Sequence, residues 1–344
     1  MTTVYTTHAR YDEHDFPGHP EHAGRIRAVW NYLAEAGITA QLQAVTAQPV
    51  STELITTVHT HDYLGILQRI AASNQRHVRL DADTYASSTS YEIARLAAGG
   101  VVDAVDAVLS GQADNGLAAV RPPGHHAMPD HGMGFCLLGN IAIAARHAQK
   151  VYNIERVLIV DYDVHHGNGT QAMFYNDPSV MFISTHQSPF YPMTGWLEET
   201  GQSAGKGCTL NIPLNAGHGD ACYAAIYQEI IWPAAERFQP QLILVSAGFD
   251  AHWDDPLAGM RLSLTGYTHI TRELIQMARQ FCDGKIVFVM EGGYNLDILS
   301  RGMANIAYAL LGSDKVDDPF GAVQERSEAE YQALIAQIKR LHKL

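Results

Sequence analysis

Two aspartates and two histidines crowd into the stretch DYDVHHGNGT, Asp161 to Thr170, directly behind the apolar run RVLIV. Polar groups carried in by a buried strand are costly unless they find partners, and a metal ion is one such partner. In an extended segment residues i and i+2 point the same way. Asp163 and His165 therefore face one point while Val164 faces away. Asp250, after LILVSAGF, would reach the same edge from another strand. Two carboxylates and one imidazole suit Zn²⁺ or another divalent transition metal such as Fe²⁺. Three protein ligands leave positions open for water and substrate, the arrangement of a catalytic site.

RPPGHH sets His125 and His126 side by side in a loop pinned by Pro122, Pro123 and Gly124. Adjacent histidines near a metal serve as ligands or as proton-transfer groups. If Asp163, His165 and Asp250 hold the metal, the pair is free for acid–base work. Each ring then needs an acceptor to orient it, and Asp161 and Asn168 are groups of the right kind. EGGYN places Tyr294 after two glycines, which let the backbone pass close to the site. Its hydroxyl could donate to a developing oxyanion. The plain alternative for each cluster is a satisfied turn.

These clusters must be positioned by regular elements. GLAAV, RVLIV, VMFIS, QLILV and KIVFVM read as short buried strands, each running straight into one of them. Helical stretches lie between: PEHAGRIRAVWNYLAEAG, SYEIARLAAGGVVDAVDAVLSG, GNIAIAARHAQKVY, DACYAAIYQEIIWPAAERF and TGYTHITRELIQMARQF. In the first, Ile26, Val29, Trp30 and Leu33 share a face and Gly37 is the expected cap. Strands alternating with helices imply parallel βαβ units. In an open α/β sheet the ligand site lies beyond the carboxyl ends of the strands. The expectation is one α/β domain over residues 1–344, with a central, mostly parallel sheet and helices on both faces. Apolar spacing predicts a C-terminal helix over about 327–344, packed on the body, with a dimer helix as the alternative.

Composition narrows the partners. The net charge of -13 argues against nucleic acid, whose phosphates need a basic surface. An acidic surface attracts cations such as lysine-rich peptides or polyamines, or simply keeps the chain soluble. No apolar run is long enough for a membrane span. The start MTTVYTTHARYDEHDF has no apolar core of a signal peptide, and the four cysteines are widely spaced. Reduced thiols in the cytoplasm are the expectation.

Taken together, HPEHAGR, RPPGHHA, GFC, DYDVHHGNGTQ, AGFDAHWDDPLAG and MEGGYN resemble the zinc-dependent histone deacetylase superfamily. That superfamily also contains acetylpolyamine amidohydrolases and is related in fold to arginases. The motifs run from His19 to Asn295 in family order, and HPEHAGR and Asn168 resemble the class II branch. The resemblance implies zinc on Asp163, His165 and Asp250. It implies His126 as general base and acid, His125 paired with Asp161 as its electrostatic partner, and Tyr294 polarising the acyl carbonyl. Gly134, Phe135, Tyr191 and Leu257 would line a tunnel for the acyl-lysine stem. A structural potassium ion is implied near Asp161, Asp163, His165, Ser184 and Thr185, and Arg25 matches an arginine behind the active site.

LLGN before Ile141 departs from the paired asparagines usual there. The acidic residue that grips substrate backbone at the rim has two candidates, Asp81 and Asp83, which a plain surface loop would equally explain. The implied reaction is metal-dependent removal of acetyl or related acyl groups from the side-chain amine of acyl-lysine. The alternative is an acetylpolyamine amidohydrolase acting on small acylated amines. An arginase-like ureohydrolase would need further bridging carboxylates, and a non-catalytic acyl-lysine binder would not need the acid–base set. The oligomeric state is left open, a homo-oligomer included.

Overall fold

Eight strands form one sheet, and every neighbouring pair in it is parallel. In chain order they are β1 (Thr3–Thr7), β2 (Gln43–Thr46), β5 (Asn115–Ala118), β6 (Val157–Asp161), β7 (Val180–Gln187), β8 (Thr209–Leu214), β9 (Leu242–Ala247) and β10 (Ile286–Met290). Across the sheet the order is β2-β1-β5-β10-β9-β6-β7-β8. A separate two-stranded antiparallel ribbon pairs β3 (Val78–Arg79) with β4 (Tyr85–Ala86). The structure, a computed structural model, describes residues 1–73 and 75–344.

The eleven α-helices are α1 (Gly24–Glu35), α2 (Thr52–Ile55), α3 (His61–Ala71), α4 (Ser90–Leu109), α5 (Asn140–Tyr152), α6 (Asn168–Phe174), α7 (Asp220–Ile226), α8 (Trp232–Phe238), α9 (Leu264–Cys282), α10 (Leu296–Leu310) and α11 (Glu328–His342), counted among the described residues. Parallel crossovers are right-handed, so the direction a crossover travels fixes the face its helix covers. The steps β2→α4→β5 and β5→α5→β6 move one way across the sheet; β1→α1→β2 and β9→α9→β10 move the other. The contacts agree: α4 packs on α5, while α10 joins α1 and α9. With both faces covered, β6, β9 and β10 are buried along their whole length. That explains why they read as unbroken apolar runs.

Three sheet strands, β1, β2 and β8, escape the sequence reading. β1 is TVYTT and β2 is an exposed edge strand, QAVT, so neither shows an apolar run. The stretch Asp220–Phe238 is one unbroken helical run, as expected, but it is not α-helical throughout. It passes from α7 through a π-helical segment, Tyr227–Ile231, into α8. Pro233, at the start of α8, has no N–H to continue the ladder, and the wider turn before it absorbs the mismatch. On α1, Ile26, Val29 and Leu33 are buried, but Trp30 is half-exposed and donates its indole N–H to Thr7 Oγ1 at 2.8 Å.

Candidate functional site

Because β5, β10, β9, β6 and β7 lie side by side and parallel, the segments leaving their carboxyl ends all emerge at one edge. The loop after β6 carries Asp163 and His165, and the loop after β9 carries Asp250. Their ligand atoms lie within 4.8 Å of one another. His165 Nδ1 is 3.1 Å from Asp163 Oδ1 and 3.2 Å from Asp250 Oδ2. Both aspartates are fully buried.

Backbone amides fix this trio. Asp163 Oδ2 accepts from Gly292 N (2.8 Å) and Oδ1 from His165 N (3.0 Å); Asp250 Oδ1 accepts from Val164 N (2.9 Å). Asp250 Oδ2 makes no hydrogen bond among the described residues, its contact with His165 Nδ1 being an ion-pair approach at 3.2 Å. Gly292 belongs to the same cradle, since a Cβ there would stand 2.2 Å from Asp250 Oδ2 and 2.4 Å from Asp163 Oδ2. Two buried carboxylates this close, one oxygen unserved, need a cation between them. The donor set, one nitrogen and two oxygens, fits a divalent transition metal.

The two histidines of the loop after β5 sit beside the trio, ring centroids 3.9 Å apart. They are oriented by different groups. His125 Nδ1 faces Asp161 Oδ2 at 3.0 Å, and His126 Nδ1 faces Asn168 Oδ1 at 2.7 Å. The acceptors assign the proton on each ring to Nδ1, which leaves His126 Nε2 as a free base. Burial and the neighbouring imidazoles of His125 and His165 hold His126 well below the usual imidazole range. Burial acts the same way on His125, but the charges of Asp163 and Asp161 outweigh it and push that ring up to about 10. The same burial thus leaves the two rings shifted in opposite directions, as their partners dictate.

A cavity of about 460 Å³ opens above these groups. Gly134, Phe135, Tyr191, Leu257 and Tyr294 line it together with His126 and His165. Phe135 packs edge-on to Tyr294, centroids 5.9 Å apart, and Tyr191 packs edge-on to His126 at 5.3 Å. Phe135 has φ 68° and Gly134 φ 54°. A Cβ on Gly134 would meet the His126 ring at 2.4 Å, so only glycine lets that turn approach the imidazole. Of the two rim aspartates, Asp83 lines the cavity. Asp81 instead accepts from Asp83 N (3.0 Å) and Thr84 N (2.6 Å), shaping the turn.

The residues implied for potassium also come together. Asp161 and Ser184 are register partners across β6 and β7, and the Thr185 hydroxyl donates to Asp161 O at 3.4 Å. Arg25 lies behind the cavity, donating to Gly293 O at 2.8 Å, with its guanidinium carbon 5.0 Å from the Tyr294 ring centroid.

Several residues of the site were missed. Glu291 is fully buried, and its Oε2 accepts from Gly124 N (2.7 Å) and His125 N (3.3 Å), tying the histidine loop to β10. Burial pushes it up to about 7. With His125 and Cys136 it forms a second cluster of ligand-type groups, but the Cys136 thiol donates to Gly134 O and burial raises it well above the usual thiol range. Asp255 Oδ2 accepts from Tyr294 N (2.7 Å) and Asn295 N (3.3 Å), and its Oδ1 accepts from Leu257 N (2.9 Å). The visible signal for both was an acid within a motif already picked out, MEGGYN or HWDDP.

The histone deacetylase domain profile matches residues 19–310, which encloses every residue of this site. The chain belongs to the histone deacetylase family. Among its relatives is a probable deacetylase of Archaeoglobus fulgidus, 42% identical over 91% of this chain and 88% of that protein. Histone deacetylase 14, chloroplastic, of Arabidopsis thaliana is 40% identical over 89% of this chain and 76% of its own length. A histone deacetylase-like amidohydrolase of Pseudomonas aeruginosa is 43% identical over 81% of this chain and 73% of its own. The crystal structure of the HDA15 HD domain superposes with a TM-score of 0.91 at 34% identity, covering 99% of this chain and 94% of that one. Membership makes the chain an amide-hydrolysing enzyme of the deacetylase type, with the arginase/deacetylase fold. No helix among the described residues is long and apolar enough to cross a membrane.

Proposed function

We propose that the chain is a zinc-dependent deacetylase that removes acetyl or related acyl groups from the side-chain amine of acyl-lysine. The observation that carries this reading is the Asp163–His165–Asp250 trio beneath a cavity walled by Phe135 and Tyr191, with His126 and Tyr294 beside it. When bound to the trio, zinc, or iron(II) in its place, would polarise the acyl carbonyl and acidify a water.

The remaining chemistry belongs to the chain. Phe135, Tyr191, Leu257 and Gly134 hold the apolar stem and exclude water from the amide. His126, neutral with its Nδ1–H held by Asn168, takes the water proton on Nε2. His125, held cationic by Asp161, keeps the field around that proton positive. Tyr294 borders the cavity and offers its hydroxyl to the developing oxyanion. His126 then returns the proton to the leaving amine, giving free amine and carboxylate. Asp83 at the cavity mouth, on a chain of net charge -13, favours a cationic substrate. A potassium ion at Asp161, Ser184 and Thr185 would stiffen the β6–β7 edge, and free cysteines fit a cytoplasmic enzyme.

The test is turnover of a fluorogenic acetyl-lysine peptide and of acetylated polyamines, with and without chelator. Chelator-sensitive hydrolysis of the peptide is expected. Hydrolysis of the polyamines alone would make the chain an acetylpolyamine amidohydrolase, and no chelator-sensitive hydrolysis of either would end this reading.

A further inference from the structure

Far from the catalytic loops, the amino ends of β7 and β8 meet the carboxyl ends of α8 and α11. A cavity of about 570 Å³ lies there, within the size range of small-molecule sites. Lys206, Arg237 and Lys343 all line it, against a single carboxylate, Glu198. Such a concentration of positive charge stands out on a chain of net charge -13. Among the described residues none of the three cations is held in an ion pair. Arg237 gives one Nη1–H to His342 O, which leaves its other guanidinium N–H groups free.

His342 belongs to the wall of the same cavity. Its side chain lines the cavity and is only 6% exposed, and its Nε2 is buried with no hydrogen-bond partner. Burial, Arg237 and Lys206 push this imidazole down to about 4. It is therefore neutral at pH 7 and adds no charge of its own to the cavity. Phe238 and Met181 provide apolar wall opposite these donors.

We propose that this cavity binds a phosphorylated small molecule, its phosphate held by Lys206, Arg237 and Lys343 and its body resting on Phe238. A phosphate offers several acceptor oxygens and matches a guanidinium fork plus ammonium groups better than a single carboxylate does. The site lies away from the catalytic edge, so it stands or falls separately from the deacetylase reading.

The experiment is calorimetric titration of the full chain with adenosine 5′-monophosphate and, separately, inorganic phosphate. Wild type is expected to bind the nucleotide. The double variant Lys206→Glu, Lys343→Glu should weaken it about tenfold or more. The circular-dichroism spectrum and thermal midpoint of that variant should match wild type, which shows that it is folded. Undiminished affinity in the double variant, or no binding to wild type at millimolar nucleotide, would overturn the proposal. Inorganic phosphate binding as tightly as the nucleotide would overturn the organic body and leave a free-phosphate site.

Discussion

Asp250 shows how little slack the site leaves to a single side chain. One carboxylate oxygen is used by Val164 N and the other has no donor, so removing the group removes a ligand and leaves Asp163 facing His165 alone. Asp250→Ala is expected to lose bound metal and activity together, checked by elemental analysis. A full equivalent of metal in that variant would refute the ligand assignment. Tyr294 separates chemistry from scaffold. Its backbone N–H is held by Asp255, and its hydroxyl makes no hydrogen bond within the described residues. Tyr294→Phe should therefore keep fold and metal while kcat falls about 10²–10³-fold, or roughly 2.7–4 kcal/mol. Near-normal kcat would place the oxyanion elsewhere. These two residues could be read from their motifs because the chemistry sits where an apolar run stops. Glu291 and Asp255 could not be assigned in that way, since their partners lie on other loops, 167 residues away for Gly124 and 39 for Tyr294.

At the level of elements, five parallel strands deliver the chemistry, and loop-to-loop ties hold it in register. Asp255 joins the segment after β9 to the start of α10 through two backbone N–H groups, those of Tyr294 and Asn295, and takes a third within its own segment from Leu257 on the tunnel wall. Asp255→Ala should orphan those donors at about 1–3 kcal/mol in stability. It should also lower kcat more than metal content, because it frees Tyr294 without touching a ligand. Equal loss of metal and kcat would mean that Asp255 supports the trio instead. The strands feeding the site were legible because both of their faces are buried, which makes them continuous apolar runs. β1 and β2 were not, since threonines and an exposed edge erase that signal. The π-helical segment within Asp220–Phe238 was written in the sequence as Pro233, whose missing N–H disturbs a uniform α-helical ladder.

Across the whole molecule, a buried ionic knot ties the amino-terminal segment to the catalytic edge. Glu21 takes two hydrogen bonds from Arg121, at 2.8 and 2.7 Å, and a third from Arg25 at 3.3 Å. Arg25 reaches on to Gly293 O, and Arg121 to Tyr11 O. All three charged side chains are fully buried. Burial would raise the Glu21 carboxyl, but the two guanidinium groups outweigh it and hold it down to about 2, against an ordinary 4.5. Between those values the unfolded chain binds a proton that the folded chain does not, so stability falls as pH falls. The contribution of Glu21 is thus complete above about pH 4.5 and disappears towards pH 2. Glu21→Gln leaves both arginines short of a charge and should be strongly destabilising at pH 7, by about 3–5 kcal/mol. In urea titrations of metal-free protein, the gap between wild type and Glu21→Gln should be widest near neutrality and narrow steadily below about pH 4.5. Metal-free protein is the right sample, because metal loss in acid would otherwise add its own slope. A gap that stays constant down to pH 3 would mean that Glu21 is not held ionised by its arginines, and that packing alone fastens the amino-terminal segment to the site.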